Sequence, residues 1–435
     1  MMKVHLTALG CRLNEAELEN WSRQFLGHGF TLSASAEDAD LVVLNTCAVT
    51  GEASRKSRNL INRLHRHNPN ARLVVTGCHS SLNPEATADT LGVDLVIPNE
   101  QKQTLADITI RQLGLDNTGQ MGQPDDIALY ARGRHRAFIK IQDGCRYRCT
   151  FCIVTVARGE ERSIPEREVI DTINHYASHG IQEAVLTGVH VGGYGSDIGS
   201  SLFRLVQRIL VETDIPRLRF ASVEPWDLPD DFFSLFQDAR LMPHMHLPLQ
   251  SGSDSVLRRM ARRCKTAEFR MLIDKARTQV ERFNVTTDII AGFPGETEQE
   301  WQQTLQFVES IGFGHIHIFP YSPREGTKAA RLPDQIDKAT RQRRCRELAM
   351  LAEQLKHQAM QKELGSNQAV LWESPQQRSD GTVEIQGYTP GFHRVRTLQP
   401  EGMALEYQVT DTHLTGISTH PPLLEGVILD PNTDD

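Results

Sequence analysis

Short apolar runs separated by amphipathic stretches set the pattern of the first third of the chain. Lys3–Leu9, Ala39–Asn45, Arg72–Thr76 and Leu95–Pro98 read as buried strands, and Glu15–Gly27 and Glu52–His67 carry the apolar spacing of helices. That alternation predicts βαβ units and a parallel sheet. The stretch LDNTGQMGQ at 115–123 lacks periodicity, which places a linker and a domain boundary at 115–130. The pattern then resumes with strands at Ala137–Gln142, Ala184–Thr187, Arg217–Ser222, His244–Leu247, Val285–Ile290 and His315–Pro320. Helical segments separate them at Arg167–His179, Leu202–Val211, Asp254–Arg262, Ala267–Arg282 and Glu298–Ser310. Six such units in about 200 residues predict an incomplete α/β barrel, since a full eightfold barrel takes about 250. A long helix is expected over Asp337–Leu364. After Gly365, the runs VLWE, GTVEIQGY, HRVRTL and ALEYQVTDTHL predict a small all-β unit, followed by a frayed acidic tail. The expected fold is therefore α/β: an N-terminal parallel-sheet α/β domain at 1–120, a central partial (β/α)6 barrel at 131–365, and a C-terminal small antiparallel β-barrel at 366–428.

Composition narrows the class. With 435 residues, 39% hydrophobic and 23% charged, the chain is an ordinary globular one of two or three domains rather than disordered or fibrous. No apolar run approaches the roughly 20 residues of a membrane span, and MMKVHLTALGC has no signal-peptide core, so a soluble cytoplasmic protein without a membrane partner is expected. In that compartment eight cysteines point to metal, cluster or redox chemistry rather than to disulfides. The net charge of −8 argues against a uniformly basic nucleic-acid binder. The basic residues are clustered, however. Arg55, Lys56, Arg58, Arg63 and Arg66 oppose Glu52 alone; Arg132, Arg134, Arg136, Lys140, Arg146 and Arg148 oppose Asp143; Arg258, Arg259, Arg262, Arg263 and Lys265 form a third group. His393, Arg394 and Arg396, interleaved with Tyr388 and Phe392, suit stacking on unpaired bases. Arg55, Lys56, Arg58, Arg394 and Arg396 are the candidate RNA contacts.

The sharpest chemical signal is Cys145-x3-Cys149-x2-Cys152, directly after a predicted strand. No fourth ligand follows at zinc-finger spacing, His135 and His175 lying farther off. A [4Fe-4S] cluster on three thiolates keeps one iron open for a small molecule. A second trio, Cys11, Cys47 and Cys78, stands at the ends of three apolar runs, TALGC, VVLNTC and VVTGC. If those strands are parallel, the thiols emerge together at the carboxyl edge of one sheet, where open α/β folds place ligands. Gly10 and Gly77 would permit the tight turns. Cys264 and Cys345 share neither spacing nor context.

The first trio, with aromatic Phe151 before its last cysteine, resembles the radical S-adenosylmethionine motif. Together with RAFIKIQDGC (136–145), ARG (157–159), LTGVHVGGYG (186–195), LPLQSGSD (247–254) and DIIAGFPGET (288–297), the two trios make the chain similar to the methylthiotransferases that modify tRNA or a ribosomal protein. GCRLN at 10–14 and NTCAVT at 45–50 resemble the MtaB branch more than the MiaB or RimO branches, as does GYTPGFHRVR at 387–396.

The resemblance implies a radical cluster on Cys145, Cys149 and Cys152 that binds S-adenosylmethionine and cleaves it to a 5′-deoxyadenosyl radical. It also implies a sulfur-carrying auxiliary [4Fe-4S] cluster on Cys11, Cys47 and Cys78, and a closing TRAM barrel that binds RNA. S-adenosylmethionine would serve as both methyl donor and radical source. The reaction implied is methylthiolation of C2 of N6-threonylcarbamoyladenosine beside the anticodon of tRNA, with a flavodoxin- or ferredoxin-like electron donor and an unassigned sulfur source. Within this frame, Thr187, Gly188 and Val189 are expected at the amino group of S-adenosylmethionine. Ser222, Glu224 and Gln250 with Ser251 and Gly252 are expected at its ribose or methionine, and Arg158 or Arg263 at its carboxylate. Asn14 and Asn45 would orient the auxiliary ligands. Cys264 departs from the family, which has an aromatic after RR. The alternatives are methylthiolation of isopentenyladenosine in tRNA, of a ribosomal-protein aspartate, and, from another class, a non-catalytic iron–sulfur RNA-binding or redox-sensing module.

Overall fold

The computed structural model describes residues 1–115, 136–400, 402–419 and 421–429. Most of the expected linker at 115–130, Arg132, Arg134, His135 and the end of the acidic tail lie outside the described residues. The chain forms two compact units, one of Met1–Val169, Thr187–Gly199 and Ser322–Arg331, the other of Ile170–Leu186, Ser200–Tyr321 and Leu332–Asp435.

The first unit begins with β1 (Lys3–Ala8), α1 (Arg12–Gly27), β2 (Thr31–Leu32), β3 (Leu41–Thr46), α2 (Gly51–His67), β4 (Arg72–Gly77), α3 (Cys78–Leu82), α4 (Pro84–Ala88), β5 (Leu95–Ile97) and α5 (Leu105–Leu113). The strands form one parallel sheet in the order β2-β1-β3-β4-β5, as the alternating pattern requires. Central β3 is apolar and buried throughout because both faces are covered. Leu41 and Val43 pack with Leu18, Trp21 and Phe25 of α1 on one face. Val42 and Leu44 pack with Leu60, Ile61 and Leu64 of α2 on the other. Helix α2 starts where the Thr50 hydroxyl accepts the Ala53 N–H at 3.1 Å and ends on His65, Arg66 and His67, basic side chains of the kind suited to a helix C-terminus. Strand β2 and helices α3, α4 and α5 have no counterpart in the sequence pattern, being too short or too weakly periodic.

The unit continues with β6 (Arg136–Lys140), β7 (Gln142–Asp143), α6 (Val154–Arg158) and β8 (Arg162–Ser163), the last antiparallel to β7. Helix α7 (Glu166–Ser178) leads into the second unit.

There β9 (Glu183–Thr187), α8 (Leu202–Glu212), β10 (Arg217–Phe220), β11 (His244–His246), α9 (Asp254–Arg259), α10 (Thr266–Gln279), β12 (Asn284–Ala291), α11 (Glu298–Ile311) and β13 (His315–Pro320) follow the expected α/β alternation. Neighbouring strands from β9 to β13 run parallel, with single bridges such as Ser222 to His246 joining β10 to β11. Helix α12 (Lys338–Gln361), capped by Asp337, precedes the last element group. This comprises β14 (Asn367–Trp372), β15 (Gln376–Gln377), β16 (Val383–Tyr388), β17 (Arg394–Leu398), β18 (Val409–Ile417) and β19 (Leu424–Ile428). Pairings β14-β18-β19-β17-β16 and β14–β16 close a five-stranded ring around Val370, Trp372, Ile385, Val395, Leu414 and Leu424. The expected small antiparallel barrel is present, with one parallel pair in it: β17 and β19, Val395 pairing with Leu424. A closed ring of odd strand number cannot alternate direction throughout, so one parallel pair is unavoidable.

Candidate active site

Parallel β1, β3 and β4 end at one edge of their sheet, and a cysteine follows each within three residues. Cys11 caps α1, Cys47 follows β3, and Cys78 opens α3. Gly10 adopts φ +104°, and a Cβ there would lie 2.5 Å from the Cys47 sulfur. Gly77 adopts φ +103°, and a Cβ there would lie 2.3 Å from the Thr46 carbonyl. Only glycine lets these loops converge. Burial pushes the Cys47 thiol up to about 11, and the charges of Cys11 and Cys78 push the same way. Cys11 is exposed as a residue, yet the crowding around its sulfur raises its thiol too, against the pull of the Arg158 guanidinium. Thiols such as Cys11 and Cys47 that resist ionisation alone suit a centre that displaces their protons on binding.

Behind this edge, Asn14 donates to the carbonyls of Leu9 at 2.6 Å and Thr46 at 3.3 Å. Asn45 donates to Glu17 at 2.8 Å and to the Asn14 carbonyl at 3.3 Å. Ser57 accepts the Cys47 N–H and donates to its carbonyl. The expected orienting role of Asn14 and Asn45 has this physical form: they fix the backbone that carries the cysteines.

The second trio lies on the loop after β7. At Gly144, φ is +71° and a Cβ would lie 1.8 Å from the Glu160 carbonyl oxygen. The Cys145 N–H donates to the Gly159 carbonyl, the Cys152 N–H to that of Cys149, and the Thr155 hydroxyl to that of Tyr147. The Val154 N–H reaches the Cys152 sulfur at 3.4 Å. The half-buried sulfurs of Cys145, Cys149 and Cys152 with neighbouring Phe151 thus sit on a tightly tied loop. Two residues absent from the sequence expectations join it: Glu161 and buried His190 bond each other closely, and their ligand atoms lie within 4.8 Å of the Cys145 sulfur and of one another. The loop Thr187–Gly188–Val189 is held by Gln142, whose side-chain oxygen accepts from the N–H groups of Val189 at 3.0 Å and His190 at 2.8 Å.

Arg158 corrects its expected role. Its side chain is 2% exposed, and its guanidinium bonds Glu17 at 2.9 Å, Asp143 at 2.9 Å and Asn14 at 2.7 Å, so its fork is spent on protein groups and not offered to S-adenosylmethionine. Lys102 bonds Glu17 at 2.6 Å, and Lys140 bonds Glu17 at 3.1 Å and Asp143 at 2.7 Å. Against the cost of burial, Arg158, Lys102 and Lys140 hold Glu17 well below the usual carboxylate range, while Arg158 and Lys140 hold Asp143 at about 2. The sequence carried one sign of this: Glu17 falls between Leu13 and Trp21 on the buried stripe of α1, where a charge is out of place.

In the second unit, Ser222 and Glu224 follow β10, and Gln250, Ser251 and Gly252 follow β11. Gln250 has φ +81°, an unusual value for a side-chain-bearing residue and one found at ligand sites, and is held by the Asp288 carbonyl and the Ile290 N–H. Arg263 is exposed. Cys264 is buried and its thiol is pushed up to about 12, which makes it unreactive.

Arg55, Lys56 and Arg58 are exposed on α2; of these Lys56 lines an open groove of about 760 Å³, with Asn59, Asn62, Arg63 and Arg66. Arg394 and Arg396 lie along β17. The aromatics beside them differ from expectation. Phe392 stacks on His244 at 4.8 Å and on Tyr388 at 4.7 Å, with Arg219 over its ring, and His393 is buried, so Phe392 and His393 fasten the small barrel inward.

Two stretches of the chain match known families. Residues 139–308 match the radical SAM superfamily, and residues 3–98 match the uncharacterized protein family UPF0004. The threonylcarbamoyladenosine tRNA methylthiotransferase MtaB of Thermotoga maritima is 35% identical over 86% of this chain and 87% of its own. The chain belongs to the radical SAM methylthiotransferase family. The MtaB protein of Bacillus subtilis is 33% identical over 91% of this chain and 90% of its own. The tRNA-2-methylthio-N(6)-dimethylallyladenosine synthase of Methylacidiphilum infernorum is 30% identical over 98% and 96%. Among solved structures, the radical S-adenosylmethionine methyltransferase TsrM of Kitasatospora setae superposes with a TM-score of 0.57 at 15% identity, over 76% of this chain and 77% of that one, a likeness of fold. Methylthiotransferases of this family use S-adenosylmethionine and [4Fe-4S] clusters. Two separate sets of three thiols, each at a strand end, are a donor set that fits such clusters.

Proposed function

We propose that this enzyme methylthiolates C2 of N6-threonylcarbamoyladenosine beside the anticodon of tRNA. The observation that carries the reading is the run of MtaB relatives at 31–35% identity, supported by GCRLN and NTCAVT around the first two auxiliary cysteines. Cys11, Cys47 and Cys78 would hold the auxiliary cluster, and Cys145, Cys149 and Cys152 the radical one. When bound, these clusters and S-adenosylmethionine supply the sulfur, the methyl group and the radical that removes hydrogen from the base.

The chain's own residues do the rest. Gln142 fixes the Thr187–Val189 loop so that Gly188 presents bare backbone. Gln250, held at positive φ, aims its side chain from the end of β11, and Ser222 and Glu224 stand at the end of β10. Exposed Arg263 takes the carboxylate role from which Arg158 is excluded. Arg55, Lys56 and Arg58 on α2 and Arg394 and Arg396 on β17 track phosphates. The three-domain division at 1–120, 131–365 and 366–428, a cytoplasmic location and a low-potential flavodoxin or ferredoxin as electron donor belong to the same reading. Among the described residues, no helix is long and apolar enough to cross a membrane.

The test offers the reconstituted enzyme tRNA carrying threonylcarbamoyladenosine, tRNA carrying isopentenyladenosine, and ribosomes. The methylthio group is expected on the first. Its appearance only on the second or on a ribosomal protein overturns the substrate.

A further inference from the structure

The buried ionic set behind the auxiliary cysteines has an imbalance of charge. Lys102, Lys140 and Arg158 face Glu17 and Asp143, all five joined by the bonds given above. Three cations against two carboxylates leave one positive charge in excess. Arg158 and Lys140 each touch both carboxylates, whereas Lys102 touches Glu17 alone and gives its other bond to the neutral Asn45 side chain at 2.9 Å. With its side chain 2% exposed, Lys102 is the cation without a carboxylate of its own.

A buried surplus charge is costly unless an opposite charge lies near. Here the opposite charge would be the thiolates that hold a bound centre. Burial pulls the Lys102 ammonium down and Glu17 holds it up, so a further negative charge nearby would favour its charged form. Asn45, which holds the Lys102 ammonium, is two residues before Cys47. Three thiolates on a doubly positive iron–sulfur core leave one net negative charge, which matches the surplus.

We propose that Lys102 is a buried counter-charge that sets the reduction potential of the iron–sulfur centre held by Cys11, Cys47 and Cys78. The proposal rests on the assignment of a cluster to that trio. Reduction adds a negative charge beside the ammonium, so the ammonium favours the reduced form. Lys102 is a positioning residue of the electrostatic kind: it acts on the centre through space and touches no substrate.

The test is an EPR-monitored redox titration of the full chain with Cys145, Cys149 and Cys152 replaced by alanine, so that only the auxiliary centre reports. Lys102→Met is expected to lower the equilibrium constant for reduction at least tenfold, 59 mV for a one-electron couple. Lys102→Arg keeps the charge and is expected to stay close to the parent, while Glu17→Gln, which removes a negative charge, is expected to shift the potential upward. Equal midpoints for Lys102→Met and the parent at equal iron content overturn the proposal. If Lys102→Met does not fold or load, the sign of the Glu17→Gln shift decides: upward supports, unchanged or downward overturns. Absence of iron in the parent background contradicts the cluster assignment itself and removes the proposal with it.

Discussion

At the scale of single residues, the two cysteine trios stand out in the sequence because their spacing has few other uses. Arg158 does not. Its motif placed it correctly in the chain, but its partners Glu17 and Asn14 lie more than 140 residues away, and no local pattern announces a bond of that separation. Arg158→Ala removes one of the two cations that Glu17 and Asp143 share, leaving Lys140 on both and Lys102 on Glu17. The lost buried hydrogen bonds are expected to cost about 1–3 kcal/mol in denaturant unfolding, whereas an exposed arginine would cost under about 1 kcal/mol. Cys264 is the opposite case, conspicuous as a departure from its family yet inert in its environment. Cys264→Ala is expected to leave iron content and turnover at wild-type levels; a fall of tenfold in either would make it a functional thiol.

At the scale of elements, the periodic helices and the apolar strands matched the sequence to within a few residues. Short α3 was missed because five residues carry no period, although it presents Cys78 at its first position. The small barrel was legible as β structure, but its inward anchoring was not: Phe392 and His393 looked like a surface patch until His244 of β11 and Arg219 of β10 were seen against Phe392. This element also carries a pH signature. Burial, aided by Lys356, pushes His393 down to about 4, against about 6.5 in an unfolded chain. The unfolded state therefore takes up a proton first as pH falls. The stability contributed by neutral His393 is fully present above pH 6.5 and is lost between 6.5 and 4, on the order of 3 kcal/mol. In thermal scans over that interval, His393→Gln should show a shallower decline than the parent, and equal slopes would contradict the buried neutral state. Helix α2 makes a separate prediction. Alanine at Arg55, Lys56 and Arg58 should weaken tRNA binding about tenfold or more and flatten its salt dependence, as measured by filter binding from 50 to 200 mM salt. An unchanged salt slope would remove α2 from the interface.

At the scale of the whole molecule, a chain of net charge −8 still gathers groups of cations on α2, along β17, and in the buried set behind Cys11, Cys47 and Cys78. The total charge is a poor guide to an RNA enzyme because the sum erases placement. The central claim is that two clusters on one chain deliver a methylthio group to threonylcarbamoyladenosine. Nucleoside mass spectrometry of tRNA from cells lacking the enzyme, complemented with the parent chain or with Cys11→Ala, tests it most directly. The account predicts the 2-methylthio derivative of threonylcarbamoyladenosine with the parent chain and its unmodified precursor with Cys11→Ala; the same derivative in both, or in neither, would contradict it.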